Sequence, residues 1–468
     1  MDDIDTPPDG IPLADWLATP ASVRLLVTVL LTRIQTFEQR LNQTSQTSSK
    51  PPSSDPPSAP PRPPATPRGR KAGGQPGHPG HTRPRREPDQ IVPLRPTTCP
   101  TCQADLPSTL PDAAPPIVTQ VWDVPPIRPV IIDYHQHTVI CPCCQTRTTA
   151  APAPAAATGY GARVTALVGH LHGTYHLRVR AIADLLADVA DLPLSTGSVV
   201  ASFLRVSTAL IPIDAAIHTA VQTAPVVNVD ETSWRETRQR CWLWTATTAT
   251  VTTFRITASR GRAGLDAVLP ADYGGIVGSD RWNAYNRYDD TRRQLCWAHL
   301  LRNVRALAEA HMPDSAWATA LLGHIADLFA AWAPYRAGTT GRAGLATALA
   351  PIQQAIQTAL ADGLTRRWHK VGALSRELLA HWDALWTFAT HDGVDPTNNA
   401  AERALRPAVI WRKQCFGTHS ADGSRFVERI RSVVTTCRQQ GRNVWQVLTE
   451  AVVATMTGHP PPSLLPAP

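Results

Sequence analysis

Three acidic residues stand in three different local contexts. Asp230 ends the apolar run PVVNVD, Asp280 ends GGIVGSD, and Glu402 sits in the helix-like TNNAAERALRP. Two carboxylates at the ends of separate strands, joined by a third from a distant helix, make a cage for hard divalent cations such as Mg²⁺ or Mn²⁺. Two such ions about 3.5–4 Å apart can activate an attacking oxygen and stabilise a leaving one, which is phosphoryl-transfer chemistry on nucleic acid. The strand pleat puts Asp230 on the face shared by Val226 and Asn228 and aims Glu231 away. Glycines before Asp280 permit close backbone approach. Glu402 has a second reading, because Asn399-Ala-Ala-Glu402 also scans as an N-cap with a capping-box glutamate. Asn398, Glu402 and Arg406 share one helical face, so an ion ligand would be flanked by phosphate-binding groups. Arg412 and Lys413 follow in WRKQC and could grip a DNA backbone.

A second set of residues suits a different metal. Cys99-Pro-Thr-Cys102 and Cys141-Pro-Cys-Cys144 are CxxC knuckles whose turns can present two thiolates each to one Zn²⁺. Four thiolates leave no open position, so such a site is structural, and it would hold a module too small to stabilise itself. Cys143 could replace a neighbour, although Cys144 fits the spacing better. The segment VTQVWDVPPIRPVIIDYHQHTVI between the knuckles reads as two or three strands, the body of a zinc ribbon. Cys296-Trp-Ala-His299 also has ligand-like spacing, but with no second pair nearby it reads as a buried strand end. Trp234, Trp282, Trp382 and Trp386 read as core. There is no phosphate-binding Walker loop, dinucleotide glycine fingerprint or serine-hydrolase elbow.

The elements that must position these groups follow from periodicity. PVVNVD is apolar on both faces, as a central strand would be. RCWLWTATTA and TTFRITAS follow at hairpin-like spacing. The helix-like GLDAVL, then GGIVGSD and QLCWAHLL, complete the strand and helix order of a ribonuclease-H-like sheet. Residues 305–393 are alanine-rich and helix-periodic, an all-helical insertion ahead of the Glu402 helix. The fold class is therefore multidomain α/β. A catalytic core spans 222–304 and 394–455, a zinc ribbon 96–147, and a helical segment 159–216 that reads either as a helix-turn-helix or as an ordinary bundle, with Ser195 as an N-cap. Residues 1–46 hold an amphipathic helix near Leu13–Leu41, suited to core packing or to dimerisation. The Ser/Pro/Gly-rich stretch 47–95 cannot bury a core. Its Arg68, Arg70 and Lys71 suit either a solvated linker or an arm that tracks phosphates and enters a narrow minor groove. The tail 456–468 reads as disordered.

Composition sets the outer bounds. The 468 residues are 43% hydrophobic and 18% charged, with a formal net charge of +8, which weakly favours a polyanionic partner. The excess of arginine over lysine reads as coding bias, so the position of the charge says more than its total. Nine cysteines with two CxxC pairs fit a reducing compartment. The acidic, proline-broken N-terminus is no secretory signal, and the apolar stretch Val23–Leu31 is too short to span a bilayer. A soluble protein of the cytoplasm, associated with the nucleoid and without a membrane partner, is expected.

RLNQTSQTSSKPPSSD, RKAGGQPGHPGHTR, CPTC…CPCC, VDETSW, SDRWNAY, CWAHLLRN and NNAAERALRP occur in that order. Together they resemble the large transposase of the insertion sequence sixty-six family, from about Thr32 to Met456. The resemblance implies a DDE transposase in which Asp230, Asp280 and Glu402 match the catalytic acids and Cys99, Cys102, Cys141 and Cys144 the zinc ligands. It also implies a double-stranded DNA partner, comprising terminal inverted repeats and target, and small accessory proteins of the same element. Synapsis of two DNA ends implies a homo-oligomer. CWAHLLRNVRAL lacks the paired arginine and aromatic residue that many relatives carry after the histidine. The expected activity is metal-assisted nicking at the repeats, followed by joining of the 3′-hydroxyl ends to target DNA. A catalytically silent DNA-binding relic or repressor, or a structure-specific nuclease on the same sheet, would share many of these features.

Overall fold

The computed structural model describes residues 6–8, 10–41, 83–154, 156, 158–310, 312 and 314–465, with backbone alone at 32 and 35–41. Arg68, Arg70 and Lys71 lie outside the described residues. A two-stranded ribbon pairs β1 (Thr138–Ile140) with β2 (Arg147–Thr149). The main sheet comprises β3 (Val226–Glu236), β4 (Gln239–Thr247), β5 (Thr252–Thr257), β6 (Ile276–Ser279) and β7 (Arg293–Leu295). Its spatial order is β5-β4-β3-β6-β7. The pairs β3–β4 and β4–β5 are antiparallel, whereas β3–β6 and β6–β7 are parallel. Tight links explain the antiparallel half: Thr237 takes a positive φ of 57° between β3 and β4, and Thr248 donates to the Val251 carbonyl at 2.9 Å between β4 and β5. Val227, Val229, Leu243, Trp244 and Phe254 are all buried, as a two-sided core sheet requires.

The outer edge of β5 is covered by side chains of the helix Ala421–Gln439. The backbone N–H groups of Thr252, Phe254 and Ile256 donate to Thr436 Oγ1, Ser432 Oγ and Glu428 Oε1 at 3.1, 3.0 and 2.6 Å. The match is geometric: four helical residues rise about 6 Å and two strand residues about 6.6 Å. An edge that could pair with another chain is thereby satisfied internally.

A second core lies in the helices Trp297–Ala308, Ser315–Arg336, Arg342–Gly363 and His369–Ala380, where Leu300, Leu321, Leu328, Leu345 and Leu360 are buried. Each such leucine contributes about 1.5–3 kcal/mol through burial. Of the described helices, Ser315–Arg336 is by itself long and apolar enough to cross a membrane, and its Trp317, Leu321, Ile325, Leu328 and Trp332 are buried in this core.

Two expectations are corrected and two open alternatives are narrowed. The strands expected from Val118 onward do not form ahead of β1; Pro125, Pro126 and Pro129 withhold ladder donors, and Val118, Val121, Val130 and Ile131 stay exposed. The N-terminal helix is broken at Pro20 into Leu13–Ala18 and Ala21–Leu41, with Leu25, Leu26, Val29, Leu30 and Ile34 exposed rather than packed into a core. The helix Thr196–Ala209, capped by Ser195 Oγ as expected, packs against Ala162–Tyr175, Ala421–Gln439 and Val444–Thr457. Its exposed positions include Val200 and Leu204, and its packing favours the bundle reading of the two that the sequence offered. The tail is ordered as far as Leu465: Leu464 is buried, and Gln440 and Arg442 donate to the carbonyls of Leu464 and Ser463 at 2.7 and 2.5 Å.

Candidate active site

The parallel register Val226↔Ile276, Val227↔Val277, Asn228↔Gly278, carried on by two residues, sets Asp230 beside Asp280. Gly278 is needed for that approach, because a Cβ there would lie 2.4 Å from Asn228 Oδ1. Each carboxylate is oriented by nearby backbone: Asp230 Oδ1 accepts from Glu231 N at 2.9 Å, and Asp280 Oδ1 from Trp282 N at 2.8 Å.

Glu402 arrives on the helix Asn399–Cys415, and two residues tie that helix to the middle of β3 and the end of β6. Asn398, 1% exposed, donates its side-chain amide to the Val229 carbonyl at 2.8 Å, one residue before Asp230. Its backbone N–H donates to Cys296 Sγ at 3.1 Å, and Cys296 N in turn donates to the Ser279 carbonyl at 2.9 Å, one residue before Asp280. The Cys296 thiol is pushed up to about 11 by burial, so it accepts as a neutral group. The capping-box alternative for Glu402 falls away. The N-cap is Asn398, and the Glu402 carboxylate instead accepts from Arg302 Nη2 at 2.8 Å. His299 Nδ1 lies 3.3 Å from the same oxygen but without hydrogen-bond geometry, so the arginine is the effective partner. Cys296 and His299 thus do more than end a strand. The i, i+3 spacing of His299 and Arg302 on one helix was the signal available.

Burial pushes the Asp230 carboxyl well above the usual carboxylate range, and the charges of Glu231, Asp280 and Glu402 push it further. Glu231, expected to point away, is buried against Arg260 Nε at 2.9 Å and Tyr285 Oη at 2.5 Å; burial and Asp280 also raise its carboxyl. Asp230, Glu231, Asp280 and Glu402 thus lie near enough for charge to act on Asp230, beside the guanidiniums of Arg260 and Arg302. Hard oxygen donors of this kind suit a divalent cation, which would offset their charge. The buried Asn398 Oδ1 and His299 Nδ1 lack hydrogen-bond partners beside them. Asp230, Asp280 and Glu402 do not all come within 4.8 Å of one another, whereas one atom each of Cys296, His299 and Glu402 does.

A cleft of about 260 Å³ opens at Asp280, lined also by Arg281, Trp282, His299, Arg302 and Asn303, with Glu377 reaching in to pair with Arg281. Arg406 and Lys413 are exposed on the Glu402 helix. Arg412 is not free to grip DNA: its Nη1 donates to the Ser233 carbonyl and hydroxyl, pinning the helix to β3. Trp234 and Trp386 are core as expected, and Trp382 is partly buried against the second core, whereas Trp282 lines the cleft.

The two CxxC knuckles share one geometry. Cys99 N donates to Ala104 O and Gln103 N to Cys99 O, both at 2.9 Å; Cys141, Thr146 and Gln145 repeat the pattern at the same distances. Gln103 and Gln145 take φ of 61° and 59°. Hydrogen bonds from the Cys102 and Thr101 backbone lower the Cys99 thiol, and those with Thr146 bring Cys144 down to about 7, the direction that favours thiolates. The four thiols are not gathered into one cluster within ligand distance.

A family model described as "Transposase IS66 family" matches residues 158–425, more than half of the chain, and a "Family of unknown function (DUF6444)" matches residues 20–84. An uncharacterized protein, y4qI, of Sinorhizobium fredii is 25% identical over 250 residues; that match covers 47% of this chain and 45% of the relative. The segment bearing Asp230, Asp280 and Glu402 lies wholly within the first match. The chain belongs to the IS66 family of transposases.

Proposed function

We propose that this protein is a DDE-type DNA transposase, in which Asp230, Asp280 and Glu402 hold Mg²⁺ (two ions, or Mn²⁺) and the terminal inverted repeats of an insertion sequence are the substrate. The observation that carries the reading is the polar link by which Asn398 and Cys296 tie the Glu402 helix to the parallel strands bearing Asp230 and leading into Asp280. Sheet order and strand directions support a ribonuclease-H-like core, interrupted by the helical insertion before Glu402. The bound ions would supply Lewis-acid activation of the attacking oxygen and charge relief at the leaving one. The chain's own groups do the rest. Arg302 fixes the Glu402 carboxylate, Asn398 and Cys296 hold the three acids in register, and Arg281 with Asn303 lines the cleft where a scissile phosphate would sit.

Cys99, Cys102, Cys141 and Cys144 would hold a structural Zn²⁺, supported by the paired knuckle geometry. Arg406 and Lys413, together with Arg68, Arg70 and Lys71 of the arm, would contact phosphates of end or target DNA. The exposed Leu25, Leu26, Val29, Leu30 and Ile34 support a homo-oligomeric synaptic complex, and accessory proteins of the element could join it. The site of action would be the nucleoid.

The test is incubation of the full chain with duplexes ending in the element's inverted repeats, with target DNA and Mg²⁺. Nicks at the repeat ends followed by joined products are expected. Cutting of branched DNA regardless of sequence would replace this reading with a junction nuclease, and binding without cutting would replace it with a silent DNA-binding protein.

A further inference from the structure

A second cavity, of about 450 Å³, lies between the end of β4, the flank of the Glu402 helix and the helix Ala421–Gln439. Three arginines line it: Arg403, Arg431 and Arg438. Arg431 is 1% exposed, yet its Nε and Nη1 have no hydrogen-bond partner. Nη2 donates to Thr435 Oγ1 at 3.2 Å, and the guanidinium lies over the Phe254 ring at 5.6 Å. No carboxylate among the described residues pairs with any of the three arginines. Burial, and then Arg438, pushes the Arg431 guanidinium down to about 9, so it remains a cation at neutral pH. A buried cation without a counter-charge is costly unless a ligand supplies one. Thr247 and Thr248 complete the lining, and the rigid guanidinium forks suit the oxygens of a phosphate.

We propose that Arg431, Arg403 and Arg438 form a phosphate-binding site, separate from the acidic centre, that takes a backbone phosphate of a bound DNA strand. The site rests on the transposase reading for the source of its phosphate, not for its existence. Arg403 follows Glu402 on the same helix, so a strand entering the acidic centre would pass along this flank. Arg431 anchors from below, while Arg403 and Arg438 are exposed at the mouth.

The experiment uses the full chain and the double variant Arg403→Gln/Arg438→Gln, whose exposed positions spare the fold; Arg431→Gln is made alongside. Thermal melting is followed as inorganic phosphate replaces chloride at constant ionic strength, and duplex DNA binding is followed against salt. In the wild type, Tm should climb with phosphate as ligand linkage requires, and the double variant should lose that climb. The slope of log affinity against log salt should become shallower by about 2 for the two lost contacts. A phosphate effect lost in the variant with an unchanged DNA slope would overturn the DNA source and leave a site for free phosphate. No phosphate effect in the wild type, together with an unchanged slope, would overturn the site. A wild type that responds to phosphate but never cleaves DNA would count against the transposase reading and not against this site.

Discussion

The backbone N–H of Asn398 donates to Cys296 Sγ at 3.1 Å, joining residues 102 positions apart in the chain. Through the Val229 and Ser279 carbonyls, this pair reaches the residue preceding each aspartate, and Glu402 lies one helical turn beyond. Asp280 follows the end of β6, whereas Asp230 lies within β3, which continues to Glu236 rather than ending there as expected. The three acids are therefore held by a single polar link rather than by three independent elements.

Breaking that link should misplace Glu402 without removing any acid. Asn398→Asp deletes the donor to Val229 and adds a negative charge, and Cys296→Ala deletes the acceptor. Each should slow DNA cleavage by roughly 10–100-fold, as loss of outer-shell support does at metal sites, with DNA affinity little changed. Single-turnover cleavage and equilibrium binding on the same duplex check this, and equal losses in both would point to simple unfolding.

The crowded carboxylates should make the metal-free protein less stable than it need be. With a folded-state value well above 3.8, Asp230 contributes stability that is present at low pH and lost as pH rises past that value. Asp230→Asn should stabilise the EDTA-treated protein near neutral pH, where the wild-type carboxyl is most costly to ionise. It should also abolish the Tm increase that Mg²⁺ gives the wild type. Calorimetry with and without Mg²⁺ reads both effects.

Glu428 offers a separate pH test away from the cleft. It is 2% exposed and pushed from 4.5 up to about 7 by burial, against the opposing pull of the Ile256 N–H and Arg425. The folded state thus holds the proton more tightly, so its contribution is complete below pH 4.5 and is lost as pH rises through 7. Glu428→Gln retains an oxygen for Ile256 N. It should flatten the stability profile over that window and gain up to about 3 kcal/mol at pH 8. Denaturant midpoints measured from pH 5 to pH 8 would show the flattening.

Much of this architecture was legible in the chain. PVVNVD, RCWLWTATTA and GGIVGSD announced strands because β-branched and aromatic residues lie between turn residues, and their order anticipated the sheet. That the strands bearing Asp230 and leading into Asp280 are neighbours was signalled by two apolar runs each ending in an aspartate, although β3 runs on past Asp230 to Glu236. The roles of Asn398, Cys296 and Arg302 depend on contacts across about 100 residues, which periodicity does not encode. Arg412 shows the same limit from the other side: a basic residue in a basic run is spent on Ser233, inside the protein. The missing strands between the knuckles failed through proline and through want of a partner edge, a tertiary condition.

The zinc proposal stands on its own measurement. Cys99→Ser with Cys144→Ser should lose one equivalent of tightly bound zinc by elemental analysis and weaken binding to inverted-repeat DNA, while leaving Mg²⁺-dependent stabilisation intact. Full zinc content in that variant would reassign the ligands.

The most direct test of the whole account is cleavage of inverted-repeat DNA by Glu402→Gln beside the wild type, with Mg²⁺ and with binding measured on the same samples. Glutamine preserves the side chain's size and can still meet Arg302 through its carbonyl oxygen, so the fold should survive. The account predicts wild-type affinity with cleavage reduced by at least about a thousandfold, the scale of losing a principal electrostatic stabiliser. Cleavage at the wild-type rate would contradict it and remove Glu402 from the metal centre.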